Sequence, residues 1–189
     1  MLAHIIALAG LKRSGKDTFA KALTQEATRR GIHVHTIAFA DPLRAAVRVL
    51  YQLSNNDWFG DALKDIPHPT WHISPRQMLI NVGQAMRSID PDHWVKLLCR
   101  DVELIEKHVE GPTLIVVTDV RQRNEADALR ILGGRLAVVK RPGITWDGHV
   151  TEQLAGECVY SFDYTVCNDS TIAHLRIAAR DIIDRLYKK

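Results

Sequence analysis

The stretch HIIALAG (His4–Gly10), running straight into GLKRSGKDT (Gly10–Thr18), decides the fold. Its first half is a short, nearly unbroken apolar run, as expected of a parallel strand covered on both faces. Its second half spells GxxxxGK through Gly10, Gly15 and Lys16. From Asp17 onward Phe19, Ala20, Leu23 and Ala27 recur at helical spacing, and Gly31 closes the segment. Strand, glycine-rich turn and helix therefore stand in the order that a phosphate-binding loop requires. The glycines let backbone N–H groups converge on phosphate oxygens. The helix start adds partial positive charge, and Lys16 supplies a mobile charge for the outer phosphates. Asp17 stands where the motif carries Ser or Thr. It either binds Mg²⁺ or its water shell, or favours the helix dipole from the first turn. Thr18 is the nearest hydroxyl for metal or phosphate.

The rest of the chain sets the frame. Its 189 residues suffice for one domain with a good core, and 46% apolar against 25% charged residues is a globular balance. A net charge of +3 suits anionic ligands but does not argue for nucleic acid, and no aromatic-basic stripe or recognition-helix pattern appears. Cys99, Cys158 and Cys167 form neither CxxC nor zinc spacing, and His68 and His72 have no partner cysteine. No run approaches 18 apolar residues, and the first strand meets a glycine turn where a signal peptide would continue. A cytoplasmic protein without a membrane segment is expected.

Four further strands follow. HVHTIAF (His33–Phe39) leads into Ala40-Asp41-Pro42-Leu43, where Asp41 caps a helix that Pro42 opens, with Leu43, Ala46, Val47 and Leu50 inward. Asp41 also falls at a strand's carboxyl end, where open α/β sheets bind ligands. Arg44 and Arg48, one turn apart, face either an acceptor or solvent. From Ser54 to Trp71 the pattern dissolves into an irregular segment. Ser74 then caps a helix, Pro75 opens it and Gln77 completes a capping box, with Met78, Leu79, Val82, Met86 and Ile89 inward. Asp90-Pro91 starts another helix. GPTLIVVTDVR (Gly111–Arg121) reads as a central strand ending in an aspartate: Asp119 can orient water on Mg²⁺ and Arg121 can reach a phosphate. RLAVVKRPG (Arg135–Gly143) and YTVCND (Tyr164–Asp169) complete five strands, with Arg141 at a ligand-side end. Strands alternating with helices predict a three-layer α/β/α fold around a mostly parallel five-stranded sheet.

These residues resemble the deoxynucleoside monophosphate kinases of tailed bacteriophages and prophages, within the nucleoside-monophosphate-kinase-like P-loop proteins. The resemblance covers nearly the whole chain: GLKRSGKDT, FADPLR (Phe39–Arg44), SPRQMLINVGQAMR (Ser74–Arg87), VVTDVRQRNEAD (Val116–Asp127), VKRPG (Val139–Gly143), the His149/Glu152 pair and CND before the last helix. It implies ATP over Gly10, Lys12, Arg13, Ser14, Gly15, Lys16, Asp17 and Thr18, with Asn168 bordering the adenine. It implies Mg²⁺ near Asp17, Thr18 and Asp119, and catalysis by Lys16, Arg87, Asp119, Arg121 and Arg141. A deoxynucleoside monophosphate would meet Asp41, Arg44, Arg76, Gln84, Arg87 and Glu152, and leave as the diphosphate. The segment at about 41–90 would bind the acceptor, that at about 142–162 would act as a lid, and a homodimer is compatible with the resemblance. If phage-encoded, the protein would work in the host cytoplasm. Two rival readings remain open from the residues. One is another small-molecule kinase of this architecture, akin to dephospho-coenzyme A kinase or phosphomevalonate kinase. The other is a nucleotide-binding module without kinase chemistry.

Overall fold

The computed structural model describes residues 3–54, 63–146, 153–156 and 160–188. The chain runs β1 (His4–Ala9), α1 (Lys16–Arg29), β2 (His33–Ile37), α2 (Ala40–Leu50), α3 (Pro75–Ile89), α4 (His93–His108) and β3 (Thr113–Val117). It continues through α5 (Arg123–Ile131), β4 (Arg135–Lys140), α6 (Gln153–Gly156), β5 (Tyr164–Cys167) and α7 (Ile172–Tyr187). Two units are distinguishable: Met1–Ala38 with Leu98–Lys189, and Phe39–Leu97.

The first unit holds one five-stranded sheet in the order β2-β3-β1-β4-β5, with every pairing parallel. Ala7 of β1 faces Val117 of β3 on one side and Leu136 of β4 on the other. Strands β1 and β3 are flanked on both sides and buried almost throughout, which explains why their sequences do not alternate. Side chains still point to opposite faces at every second residue. Ile6, Leu8, Leu114, Val116, Ala137, Val139 and Val166 share one face with Phe19, Leu23 and Ala27 of α1 and Leu175, Ala179 and Ile183 of α7. Helix α5 packs against β1 and β4 from the other face, burying Ala126 and Leu129. Three layers result, and each fully buried Leu, Ile or Phe among them contributes about 1.5–3 kcal/mol.

Polar contacts tie the ends of this sheet. Asp163 accepts the Leu136 N–H at 2.9 Å and pairs with Arg135 at 3.2 Å and Arg130 at 3.4 Å. Burial alone would raise its pKa; the N–H and the two guanidinium groups outweigh it and hold the carboxyl below the usual range. The Tyr187 hydroxyl donates to the Thr113 carbonyl at 2.7 Å, and burial pushes its pKa up to about 12.

The second unit has its own small core of Val47, Leu53 and Met78, bordered by Leu43, Ile73, Leu79 and Val82. Buried Trp94 of α4 donates its indole N–H to the Gly83 carbonyl of α3 at 3.2 Å. Several expectations shift here. Helix α2 begins at Ala40, so Asp41 lies in its first turn and does not cap it. Pro42 is tolerated there because first-turn N–H groups have no helical acceptor to lose. Ser74 does cap α3, accepting the Gln77 N–H at 3.2 Å, with Pro75 at the first position. The Gln77 side chain, however, donates to Asn81 at 2.8 Å and does not complete a reciprocal box. Leu50 and Ile89, expected inside, are 62% and 77% exposed, because each ends its helix beyond the residues that cover it. Helix α4 starts at His93, two residues after the expected Pro91, in a turn where Asp90 accepts the Asp92 N–H.

Candidate active site

The strand order makes β1 the strand at which the winding reverses, and open α/β sheets bind ligands beyond the carboxyl ends of such strands. The loop after β1 opens at that edge. Gly10 has φ 153°, and a Cβ there would lie 2.7 Å from both Ser14 Oγ and the Val139 carbonyl. Gly15 has φ 98°, and a Cβ there would lie 2.3 Å from Asn168 Nδ2. Both positions therefore require bare backbone. Between them Arg13 takes a left-handed φ of 64°, and the Ser14 N–H donates to the Leu11 carbonyl at 3.0 Å. Lys16 Nζ donates to the carbonyls of Gly10 at 2.6 Å and Leu11 at 3.1 Å, so the ammonium lies across the loop. Ser14 Oγ is the buried side-chain polar atom left without a partner among the described residues. Bare backbone at a helix start, an ammonium and a buried hydroxyl fit a polyphosphate.

The remaining ligand-side groups of the first unit come from neighbouring strand ends. The Thr118 N–H donates to Ile37 and the Val120 N–H to Leu8, each at 3.1 Å, which fixes Asp119 between them beyond β3. Arg121 follows in a turn whose backbone is held twice. Its N–H donates to the buried Glu125 carboxylate at 2.8 Å, and its carbonyl accepts the Leu154 N–H at 3.2 Å. Glu125 also accepts the Gln122 N–H at 3.1 Å. Arg141, exposed, directly follows β4, and Asn168 directly follows β5. Lys12, Arg13, Asp17 and Thr18 are exposed around the loop. Asp17 also lines an open cleft of ≈ 420 Å³ with Lys21, Thr24, Thr36 and Thr118.

Asp17, Thr18 and Asp119 offer hard oxygen donors, which suit Mg²⁺. Among the described residues no three His, Cys, Asp or Glu side chains form a metal cluster. A Mg²⁺ ion on this donor set would take further oxygens from phosphate and water, its ordinary habit in phosphate-transferring sites.

Asp41, Arg44, Arg76, Gln84 and Arg87, the residues expected to meet the acceptor, belong to the second unit. Arg44 pairs with Asp41 at 3.0 Å along α2, and Arg76 pairs with Asp65. Arg87 lies against α3's own Gly83, whose Cβ position is 3.6 Å from Arg87 Nη1, and Gln84 is exposed. Glu152 and His149 lie outside the described residues, as does much of the lid-like stretch at about 142–162. Two contacts were not read from the sequence. That of the Glu125 carboxylate with the Arg121 and Gln122 N–H groups has a signal in the Q-x-x-E capping pattern of Gln122–Glu125. The bond from Asn168 Nδ2 to the Ser14 carbonyl, 2.9 Å across 154 residues of chain, leaves no sequence signal.

Residues 61–178 match the family model described as deoxynucleotide monophosphate kinase. A protein of Acanthamoeba polyphaga mimivirus, whose name assigns it provisionally as a deoxynucleotide monophosphate kinase, is 33% identical over 182 residues. That match covers 89% of this chain and 90% of the relative. The deoxynucleotide monophosphate kinase of Enterobacteria phage T4 is 30% identical over 106 residues, 56% of this chain and 42% of the phage protein. Among solved structures, the Mycobacterium tuberculosis APS kinase CysC in complex with AMPPNP and APS superposes with a TM-score of 0.53. That superposition covers 97% of each chain at 13% identity and establishes the fold alone. Among the described residues no helix is long and apolar enough to cross a membrane.

Proposed function

The chain belongs to the deoxynucleotide monophosphate kinase family, and we propose from that premise how its residues move a phosphoryl group from ATP to a deoxynucleoside monophosphate. The observation that carries the reading is the glycine-built loop with Lys16 across it, opening where the sheet's winding reverses.

Lys16 exchanges the loop carbonyls for the outer phosphates of ATP. Loop N–H groups and the buried Ser14 hydroxyl hold the phosphate oxygens, with Lys12, Arg13 and Thr18 at the rim. Asp17, Thr18 and Asp119 would hold Mg²⁺, which when bound would supply positive charge against the transferring phosphates. Arg121 and Arg141 add positive charge around the moving group, and Arg87 holds the acceptor phosphate. Arg44 and Arg76 reach the acceptor by trading their exposed aspartate partners. Such pairs are worth only about 0–1 kcal/mol, so a phosphate dianion displaces them at small cost. Asp41, Gln84 and Glu152 take the sugar and base edges. The second unit and the stretch around 142–162 thus serve as acceptor site and lid. The acceptor oxygen is already ionised or nearly so at neutral pH, so no strong general base is needed; alignment and charge neutralisation suffice.

The test is coupled ADP release with ATP, Mg²⁺ and each of dAMP, dGMP, dCMP, dTMP, AMP and dephospho-coenzyme A. Turnover is expected with one or more deoxynucleotides, and Lys16→Met should lower it by at least about 10²–10³-fold, the cost of removing one charge-stabilising donor. Turnover with dephospho-coenzyme A alone, or a fully active Lys16→Met, would overturn the assignment.

A further inference from the structure

We propose that Asn168 is a positioning residue that fixes the direction of one peptide group in the phosphate loop, and that its side chain does not read the adenine base. The inference rests on the kinase reading above and adds a residue that acts through the loop.

Asn168 is anchored by its own backbone. Its N–H donates to the Lys140 carbonyl at 2.7 Å, one step beyond the Lys140–Cys167 pair that ends the β4–β5 ladder. From that fixed point the side-chain amide donates to the Ser14 carbonyl at 2.9 Å. It fills the space that a Cβ on Gly15 would occupy, 2.3 Å away. The NH₂ end of the amide donates to the carbonyl oxygen there; an aspartate would set acceptor against acceptor.

The consequence follows from peptide planarity. In a trans peptide the C=O of residue 14 and the N–H of residue 15 point in opposite directions. Holding the Ser14 carbonyl toward Asn168 therefore turns the Gly15 N–H away from it. Glycine tolerates positive and negative φ about equally, so Gly15 alone leaves this peptide free to flip. The Asn168 amide removes that freedom before any phosphate arrives. Without it, the phosphate-competent loop is only a fraction of the population, and apparent affinity falls by that fraction. A net hydrogen bond of ordinary strength makes the loss about five- to tenfold.

A loop effect and a base contact separate cleanly. The probes are ATP, GTP and inorganic tripolyphosphate, which has no base, titrated against wild type, Asn168→Ala and the isosteric Asn168→Asp. Asn168→Ala should weaken all three by the same factor, about five- to tenfold, leaving the ATP:GTP ratio and the binding stoichiometry unchanged. Asn168→Asp should weaken them further, because it also adds negative charge beside the phosphates. Loss confined to ATP would make Asn168 a base contact and overturn the proposal. Reduced stoichiometry with unchanged Kd, or loss of fold in both variants, would make the side chain merely structural and overturn it too. A wild type that binds neither ATP nor tripolyphosphate would instead remove the kinase reading itself, and this proposal with it.

Discussion

Substituting Gly15 by Ala separates two costs that the loop geometry superimposes. The first is conformational: φ 98° is a backbone state that L side chains rarely adopt, and such strain costs of order 1–3 kcal/mol. The second is steric: the new Cβ would sit 2.3 Å from Asn168 Nδ2, so the amide must leave the Ser14 carbonyl. Losing that hydrogen bond adds about 1 kcal/mol. Together they predict roughly 2–4 kcal/mol, or about 5–15 °C in thermal midpoint for a chain of this size. The assay is thermal and denaturant unfolding of four proteins: wild type, Gly15→Ala, Asn168→Ala and the double variant. With Asn168 truncated the overlap is gone and only the backbone strain remains, so Gly15→Ala should cost about 1 kcal/mol less in that background. Equal costs in both backgrounds would refute the contact.

Two further predictions rest on the sheet's ends. Glu125→Ala removes a buried carboxylate that accepts the Arg121 and Gln122 N–H groups, and should cost about 2–4 kcal/mol and lower kcat by releasing the Arg121 turn. Glu125→Gln, keeping one acceptor oxygen, should recover part of both; unchanged stability of the alanine variant would contradict this. Asp163, with its pKa lowered in the folded state, contributes stability that is fully present above the unfolded aspartate value and is lost as pH falls through the folded one. Asp163→Asn should thus be less stable than wild type by about 1–2 kcal/mol at neutral pH, and unfolding measured between pH 7 and pH 2 should show the gap closing below about pH 4. A gap that widens toward acid would reverse the sign of the argument.

The sequence disclosed elements more readily than neighbours. The apolar runs of β1, β3 and β4 are legible because both faces of these strands are covered, and Gly10, Gly15 and Lys16 fix the loop that follows. Ser74-Pro75 marks the start of α3 because capping chemistry is local. Leu50 and Ile89 were misread because helical period says which face a residue shares, and nothing about where the covering partner stops. The pairing of Asp41 with Arg44 is an i,i+3 relation visible in the sequence; that of Arg76 with Asp65 needs the intervening chain to fold back. Strand order was open, since handedness restricts it without choosing it. Asn168 is the extreme case: its role depends on a single peptide carbonyl 154 residues away, which carries no side-chain signature of its own.

The strand order also sets a schedule for the chain as it is made. The apolar segment of β1 is synthesised before the other four strands, yet neither of its neighbours is β2; they are Leu114–Val117 and Arg135–Val138. At about 5–20 residues per second, β1 waits roughly 6–26 s on the ribosome before both exist. During that interval two bare hydrogen-bonding edges and an uncovered apolar face are open to other nascent chains. Substitutions in β3 or β4 that slow their arrival beside β1 will therefore register as lost soluble yield at expression, even where the purified protein unfolds at the same temperature as wild type.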